Sequence, residues 1–193
     1  MVKYKVFSLA EILDLFKEQE EKLNDYFKEF SCPKEKELED FLVNSAIHYE
    51  KIEYGKTFLI LNAQKIQNGV IDIIAFFTIG QKSIDISKMS QKKKRKVIGS
   101  SIPGRDRLKS ISGFLIGELG RNSNYTHDDL PGSIILQECY KQIEKARMII
   151  GGNLIVLECR RKMFKKFYEE QSFHRISEDA SDDGLIMLYR KVS

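Results

Sequence analysis

The feature that most constrains this chain is a strand–helix–strand pattern in its second half. Ile111 to Leu119 is apolar enough for a buried strand. A polar loop follows, and Pro131-Gly132-Ser133 opens a helix whose apolar stripe is Ile135, Cys139, Ile143, Ala146 and Ile150. Gly151-Gly152 ends it, because glycine adopts the left-handed geometry of a helix C-terminus at no steric cost. Asn153 to Glu158 is then a continuous apolar strand. Two strands joined by a helix of this length form a βαβ unit, with parallel strands and a right-handed crossover. Ligands of such units sit beyond the carboxyl ends of the strands, where the helix begins. That places a binding site near residues 119–133. A helix carrying Met163, Phe164, Phe167 and Tyr168 and a strand from Leu185 to Tyr189 complete the region.

The first half reads as a short edge strand at 3–7, helical sequence at 9–30, a break at Ser31-Cys32-Pro33, and a helix from about Glu35 to Tyr49. Thr57 to Leu61 and Val70 to Ile79 read as two strands of a hairpin, with Gln67-Asn68-Gly69 as the turn. Residues 80–110 carry the run Lys92-Lys93-Lys94-Arg95-Lys96 and read as a long irregular basic loop inside one domain spanning 1–193.

At 193 residues, 42% hydrophobic and 31% charged, the chain has enough apolar sequence for one core, which excludes wholesale disorder. A net charge of +4 admits a phosphate-rich partner. Cys32, Cys139 and Cys159 are odd in number and form no C-x-x-C pair, which argues for reduced thiols and against a zinc site; no metal is expected. No apolar run approaches the roughly 20 residues needed to span a bilayer. A cytoplasmic protein with no membrane partner is the expectation.

Several of these segments resemble the core of the GNAT acetyltransferases. They are Phe114-Leu115-Ile116-Gly117-Glu118-Leu119-Gly120, the Gly132-Ser133 helix start, the strand ending at Glu158, and Phe167-Tyr168-Glu169-Glu170-Gln171-Ser172-Phe173, which is similar to the family's F-Y-E-K-x-G-F motif. Phe30-Ser31-Cys32, Leu38, Phe41-Leu42, Ala46 and Thr57-Phe58-Leu59 resemble the opening of a GNAT subgroup that includes toxins acetylating aminoacyl-tRNA. The resemblance implies an α/β fold with a mixed, twisted sheet flanked by helices around the βαβ unit. It implies an N-acetyltransferase moving an acetyl group from acetyl-coenzyme A to a primary amine by direct attack.

By the same resemblance, the backbone of Leu119, Gly120 and Arg121 pairs with the pantetheine arm. His127, Asp128, Asp129, Leu130, Pro131, Gly132 and Ser133 form the pyrophosphate loop. Tyr168 is the general acid toward sulfur, Glu118 a candidate base working through water, and Arg161 stands where the family often has a pantetheine-touching asparagine. A homodimer is a further family-level expectation.

The loop departs from the family pattern: only Gly132 stands at a glycine position, and Asp128 and Asp129 stand where phosphates should lie. Two rivals therefore remain. One is a toxin that acetylates aminoacyl-tRNA and holds it with Lys92, Lys93, Lys94, Arg95 and Lys96. The other is a GNAT-like fold that binds partners without catalysis. The acceptor amine is not readable. Cys159 reads as a buried structural thiol rather than a nucleophile.

Overall fold

The computed structural model describes residues 1–17, 19–176, 181 and 183–192. Among them, seven strands hydrogen-bond in the order β1-β2-β3-β4-β5-β7-β6. They are β1 (Tyr4–Ser8), β2 (Lys56–Asn62), β3 (Ile73–Asp85), β4 (Ser110–Arg121), β5 (Leu154–Arg160), β6 (His174–Arg175) and β7 (Leu185–Lys191). The sheet is mixed: β4 and β5 run parallel, while the other registered pairs are antiparallel. The chain divides into two compact units, Met1–Gly80 with Gly117–Gln142, and Gln81–Ile116 with Ile143–Ser193.

The first unit is built on β1, β2 and the opening of β3. The helical sequence at 9–30 forms two helices, α1 (Leu9–Leu15) and α2 (Glu20–Lys28). Ser8 starts α1 with a capping box: its hydroxyl accepts the Glu11 N–H at 3.2 Å, and the Glu11 carboxylate accepts the Ser8 N–H at 2.7 Å. The segment expected as one helix from Glu35 to Tyr49 is also two, α3 (Lys36–Asn44) and α4 (Ala46–Lys51), separated at Ser45. Leu9, Ile12, Leu23, Phe27, Phe30, Leu38, Leu42 and Ala46 bury one face of this helical layer against Leu59, Leu61, Ile73 and Phe76 of the strands. Each of the Leu, Ile and Phe side chains among them contributes roughly 1.5–3 kcal/mol on burial.

The hairpin pairing of β2 and β3 is present, with Phe58 opposite Phe77 and Ile60 opposite Ala75. Its connection differs from the Asn-Gly turn expected. Asn62 caps a short helix, α5 (Ala63–Gln67), by accepting the N–H groups of Gln64 and Lys65. Gly69, at φ +74, turns the chain afterwards, and β3 starts at Ile73 rather than Val70.

The second unit corrects the irregular loop expected over 80–110. β3 continues to Asp85, α6 spans Gln91–Ile98, and a 3-10 turn covers Arg105–Arg107. The basic run is helical because Ser90 caps it, accepting the Lys93 N–H at 3.3 Å, and because Val97 and Ile98 anchor it. They pack with Ile84, Ile86, Leu154, Val156, Ile176 and Tyr189. β4 pairs with β5 through Phe114↔Ile155, Leu115↔Val156 and Ile116↔Leu157, which is the parallel pairing of a βαβ unit. The crossover is α7 (Gly132–Ile150), ended by Gly151 and Gly152 at φ +75 and +101. After β5, α8 (Arg161–Met163) continues into a π-helical turn at Phe164–Tyr168. No helix among the described residues is long and apolar enough to cross a membrane.

Candidate active site

The first unit carries the end of β4, the loop after it and the head of α7. Leu119 is half-buried and Gly120 is buried. A Cβ on Gly120 would stand 2.7 Å from Leu38 Cδ1, so the glycine lets α3 approach the strand. Strand alternation puts Glu118 on the same face as Gly120. The Glu118 N–H donates to Thr78 Oγ1 at 2.7 Å. Burial, and then the Glu37 carboxylate on α3, push the Glu118 carboxyl up from 4.5 to about 7. A carboxyl at that value divides between acid and base near neutral pH, as a general base requires.

The loop is braced by Arg121. Its Nε donates to the Tyr125 carbonyl at 3.1 Å and its Nη1 to the Leu130 carbonyl at 2.8 Å. Leu130 is fully buried, and the Asp129 carbonyl accepts the Val2 N–H at 2.9 Å. The two aspartates behave differently. Asp129 folds back on Thr126: its carboxylate accepts the Thr126 N–H and hydroxyl, each at 2.8 Å, and the Thr126 hydroxyl accepts the Asp129 N–H at 3.4 Å. Those bonds, the backbone one first, hold the Asp129 carboxyl below its ordinary value. Asp128 and His127 both point to solvent, 3.7 Å apart. The Pro131 carbonyl accepts the first helical N–H, from Ile134 at 3.0 Å. The amides of Gly132 and Ser133 thus precede the helical ladder of the 19-residue α7, at the positive end of its dipole. A helix head offers an anion its free amides, and here the Asp129 carboxylate is engaged by Thr126 while that of Asp128 stays exposed.

Tyr168 and Arg161 belong to the second unit. Tyr168 closes the π-helical turn, in which the Glu169 N–H donates to the Phe164 carbonyl at 2.8 Å. Its ring is buried, edge-on to Phe173 at 5.5 Å and to Phe167 at 5.0 Å. Arg161 is exposed at the head of α8. The Cys159 thiol is pushed up by burial to about 11, which leaves it a poor nucleophile, as the sequence suggests.

The basic run is not a uniform set of phosphate contacts. Lys94 is buried, and its Nζ donates to the carbonyls of Leu108 at 2.7 Å and Asp106 at 3.4 Å. Lys92, Arg95 and Lys96 are exposed and Lys93 half-exposed. Residues 81–116 hold ten Lys or Arg against two Asp, so this segment is more cationic than the chain as a whole.

Sequence reasoning missed several polar groups. Asn122 is buried and donates from Nδ2 to the Ile73 carbonyl at 3.0 Å. Asn62, Asp72 and Tyr125 meet beneath the loop. Lys82 and Glu158 pair at 2.7 Å. Only Asn62 carried a local signal, standing as a cap before the helix-forming Ala-Gln-Lys.

No family model matches the chain, and no curated protein does. Solved structures do. A tyrosine-to-phenylalanine variant of KacT superposes with a TM-score of 0.71 at 14% identity, over 98% of this chain and 95% of that one. AtaT complexed with acetyl-methionyl-tRNAfMet gives 0.65 at 14%, over 96% and 94%. AtaTR bound with acetyl-coenzyme A gives 0.64 at 14%, over 86% of each. At these identities the likeness establishes the fold, which is the GNAT fold expected from the sequence motifs.

Proposed function

We propose that this chain is an acetyl-coenzyme A-dependent N-acetyltransferase whose acceptor is the α-amine of an aminoacyl-tRNA. The observation that carries the chemistry is the pairing of a near-neutral carboxyl at Glu118 with a braced loop and helix head immediately downstream on the same chain segment. The acceptor assignment is supported by two things: the solved AtaT complex with acetyl-methionyl-tRNAfMet shares the fold, and residues 81–116 carry ten Lys or Arg against two Asp.

Acetyl-coenzyme A supplies an activated acyl group as a thioester. Glu118 accepts a proton from the acceptor ammonium through water, leaving a neutral amine. That amine attacks the thioester carbonyl; the C–N bond forms and the C–S bond breaks. Tyr168 donates a proton to the departing sulfur, a role suited to a phenol with a reference value near 10, and the proton lost by the acylated nitrogen restores the phenol. Backbone groups of Leu119 to Arg121 align the pantetheine arm. Within the stretch His127 to Ser133, the amides of His127, Asp128, Gly132 and Ser133 hold the diphosphate, since Pro131 has no N–H and Asp129 and Leu130 donate theirs to Thr126; Arg161 flanks the arm. Lys92, Lys93, Arg95 and Lys96 contact RNA phosphates, while Lys94 supports the helix that carries them.

The test is incubation with radiolabelled acetyl-coenzyme A and a panel of aminoacylated tRNAs. Label in the N-acetyl-aminoacyl product is the expected result. Transfer to small amines but to no charged tRNA would retain the acetyltransferase and reject the RNA acceptor. Transfer to neither would leave the non-catalytic binding reading in its place.

A further inference from the structure

A polar cluster lies beneath the loop at the corner where β2 ends and β3 begins. The Tyr125 hydroxyl donates to the Asp72 carboxylate, and Asn62 Nδ2 donates to the Tyr125 oxygen at 3.1 Å. Lys65 Nζ stands 3.0 Å from the same Asp72 oxygen. The corner itself is fixed, because the Asn62 N–H donates to the Asp72 carbonyl at 3.0 Å and Asn122 donates to the carbonyls of Ile73 and Ile74. Asp72 has 16% of its side chain exposed and Asn62 is buried.

Tyr125 is tied at both ends. Its hydroxyl is held by the corner, and its carbonyl accepts from Arg121, whose other arm reaches Leu130. The connection therefore runs from Asp72 through Tyr125 and Arg121 to Leu130, two residues before the start of α7. Desolvating a carboxylate and a phenol gives little net stability over an apolar filling. What such a satisfied network does supply is a single geometry.

We propose that Tyr125 and Asp72 are positioning residues: they set the loop 122–131 so that the amides at the head of α7 are aimed at the diphosphate of acetyl-coenzyme A. This rests on the assignment of that loop made above. Neither side chain need touch the ligand.

The experiment compares wild type, Tyr125→Phe and Asp72→Asn by calorimetric titration with acetyl-coenzyme A. S-acetylpantetheine, which lacks the diphosphate and the nucleotide, is measured by competition against it. Both variants should weaken acetyl-coenzyme A by about three- to tenfold and leave S-acetylpantetheine within about twofold of wild type. Undiminished affinity for acetyl-coenzyme A in both variants overturns the inference alone. An equal loss for both ligands also overturns it, because the cluster would then be general scaffolding. Asp72→Asn carries the test if Tyr125→Phe does not fold. A wild type that fails to bind acetyl-coenzyme A removes the assignment of the loop itself, and the inference with it.

Discussion

The hydroxyl of Thr78 accepts the Glu118 N–H at 2.7 Å, in space left open by the residue before Glu118. Residue 117 is glycine, and a Cβ there would stand 2.7 Å from the same Thr78 oxygen. The candidate base is thus held at its backbone by a buried hydroxyl. Gly117→Ala should force that hydroxyl away, costing about 1–3 kcal/mol in urea unfolding and lowering turnover as Glu118 moves. Unchanged stability and unchanged turnover together would show that this hydrogen bond is not required.

Glu118 should also set the pH dependence of the reaction. Its folded value, about 7, lies above the ordinary 4.5, so the basic form accumulates only as pH rises through about 7. The rate at subsaturating substrate should climb through that value and level off above it. Glu118→Gln should lower turnover on the order of 10²-fold and abolish this limb. For stability the sign is opposite. The neutral carboxyl is favoured in the folded state, so its contribution is present below 4.5 and lost as pH rises through about 7. Glu118→Gln should therefore gain on wild type in thermal stability between pH 4 and pH 8, read from paired melting curves.

For Tyr168 the expected signature is a fall in kcat on the order of 10²-fold in Tyr168→Phe, with little change in the KM for acetyl-coenzyme A. The ring packing on Phe173 and Phe167 survives that change, so the fold should too. An unaltered kcat would remove Tyr168 from the chemistry.

Lys94 and its neighbours should separate cleanly. Changing Lys92, Lys93, Arg95 and Lys96 to glutamine should reduce the slope of log affinity for tRNA against log salt by up to about 0.7–0.9 for each phosphate that is no longer neutralised. Lys94→Gln should leave that slope alone and lower stability instead, because the Leu108 and Asp106 carbonyls lose a buried donor. A salt slope that responds to Lys94 as strongly as to the others would contradict its placement.

Ser172 holds a left-handed conformation at φ +63, at the place where the similar family motif has glycine. Ser172→Gly should relieve that strain and raise stability by about 0.5–1 kcal/mol, measured by denaturant titration.

What the sequence made legible was local or periodic. Ile135, Cys139 and Ile143 of the expected stripe are buried on α7, while Ala146 is half-buried and Ile150 exposed; Gly151-Gly152 marked the helix end, and the apolar runs at β4 and β5 marked a parallel pair. The motif at 167–173 and the helix start at Gly132 came from resemblance. What stayed hidden depended on distant partners. Tyr125 meets Asp72 and Asn62 across 53 and 63 residues of sequence, and no local pattern announces either pairing. Lys94 looked like its neighbours because a charge run masks periodicity. Its spacing of three and four residues from Val97 and Ile98 was the available sign of an inward face. Asp128 and Asp129 are alike in sequence, and only the fold of the backbone turned Asp129 onto Thr126.

Hydrogen exchange of the whole chain, with and without acetyl-coenzyme A, tests the proposed cofactor site most directly. Binding by this loop and helix head should slow exchange at the amides of Leu119 to Arg121 and of His127, Asp128, Gly132 and Ser133; Pro131 has no amide proton, and the N–H groups of Asp129 and Leu130 already bond to Thr126. Acetyl-coenzyme A that leaves those amides exchanging as before, or protects only other segments, would contradict it.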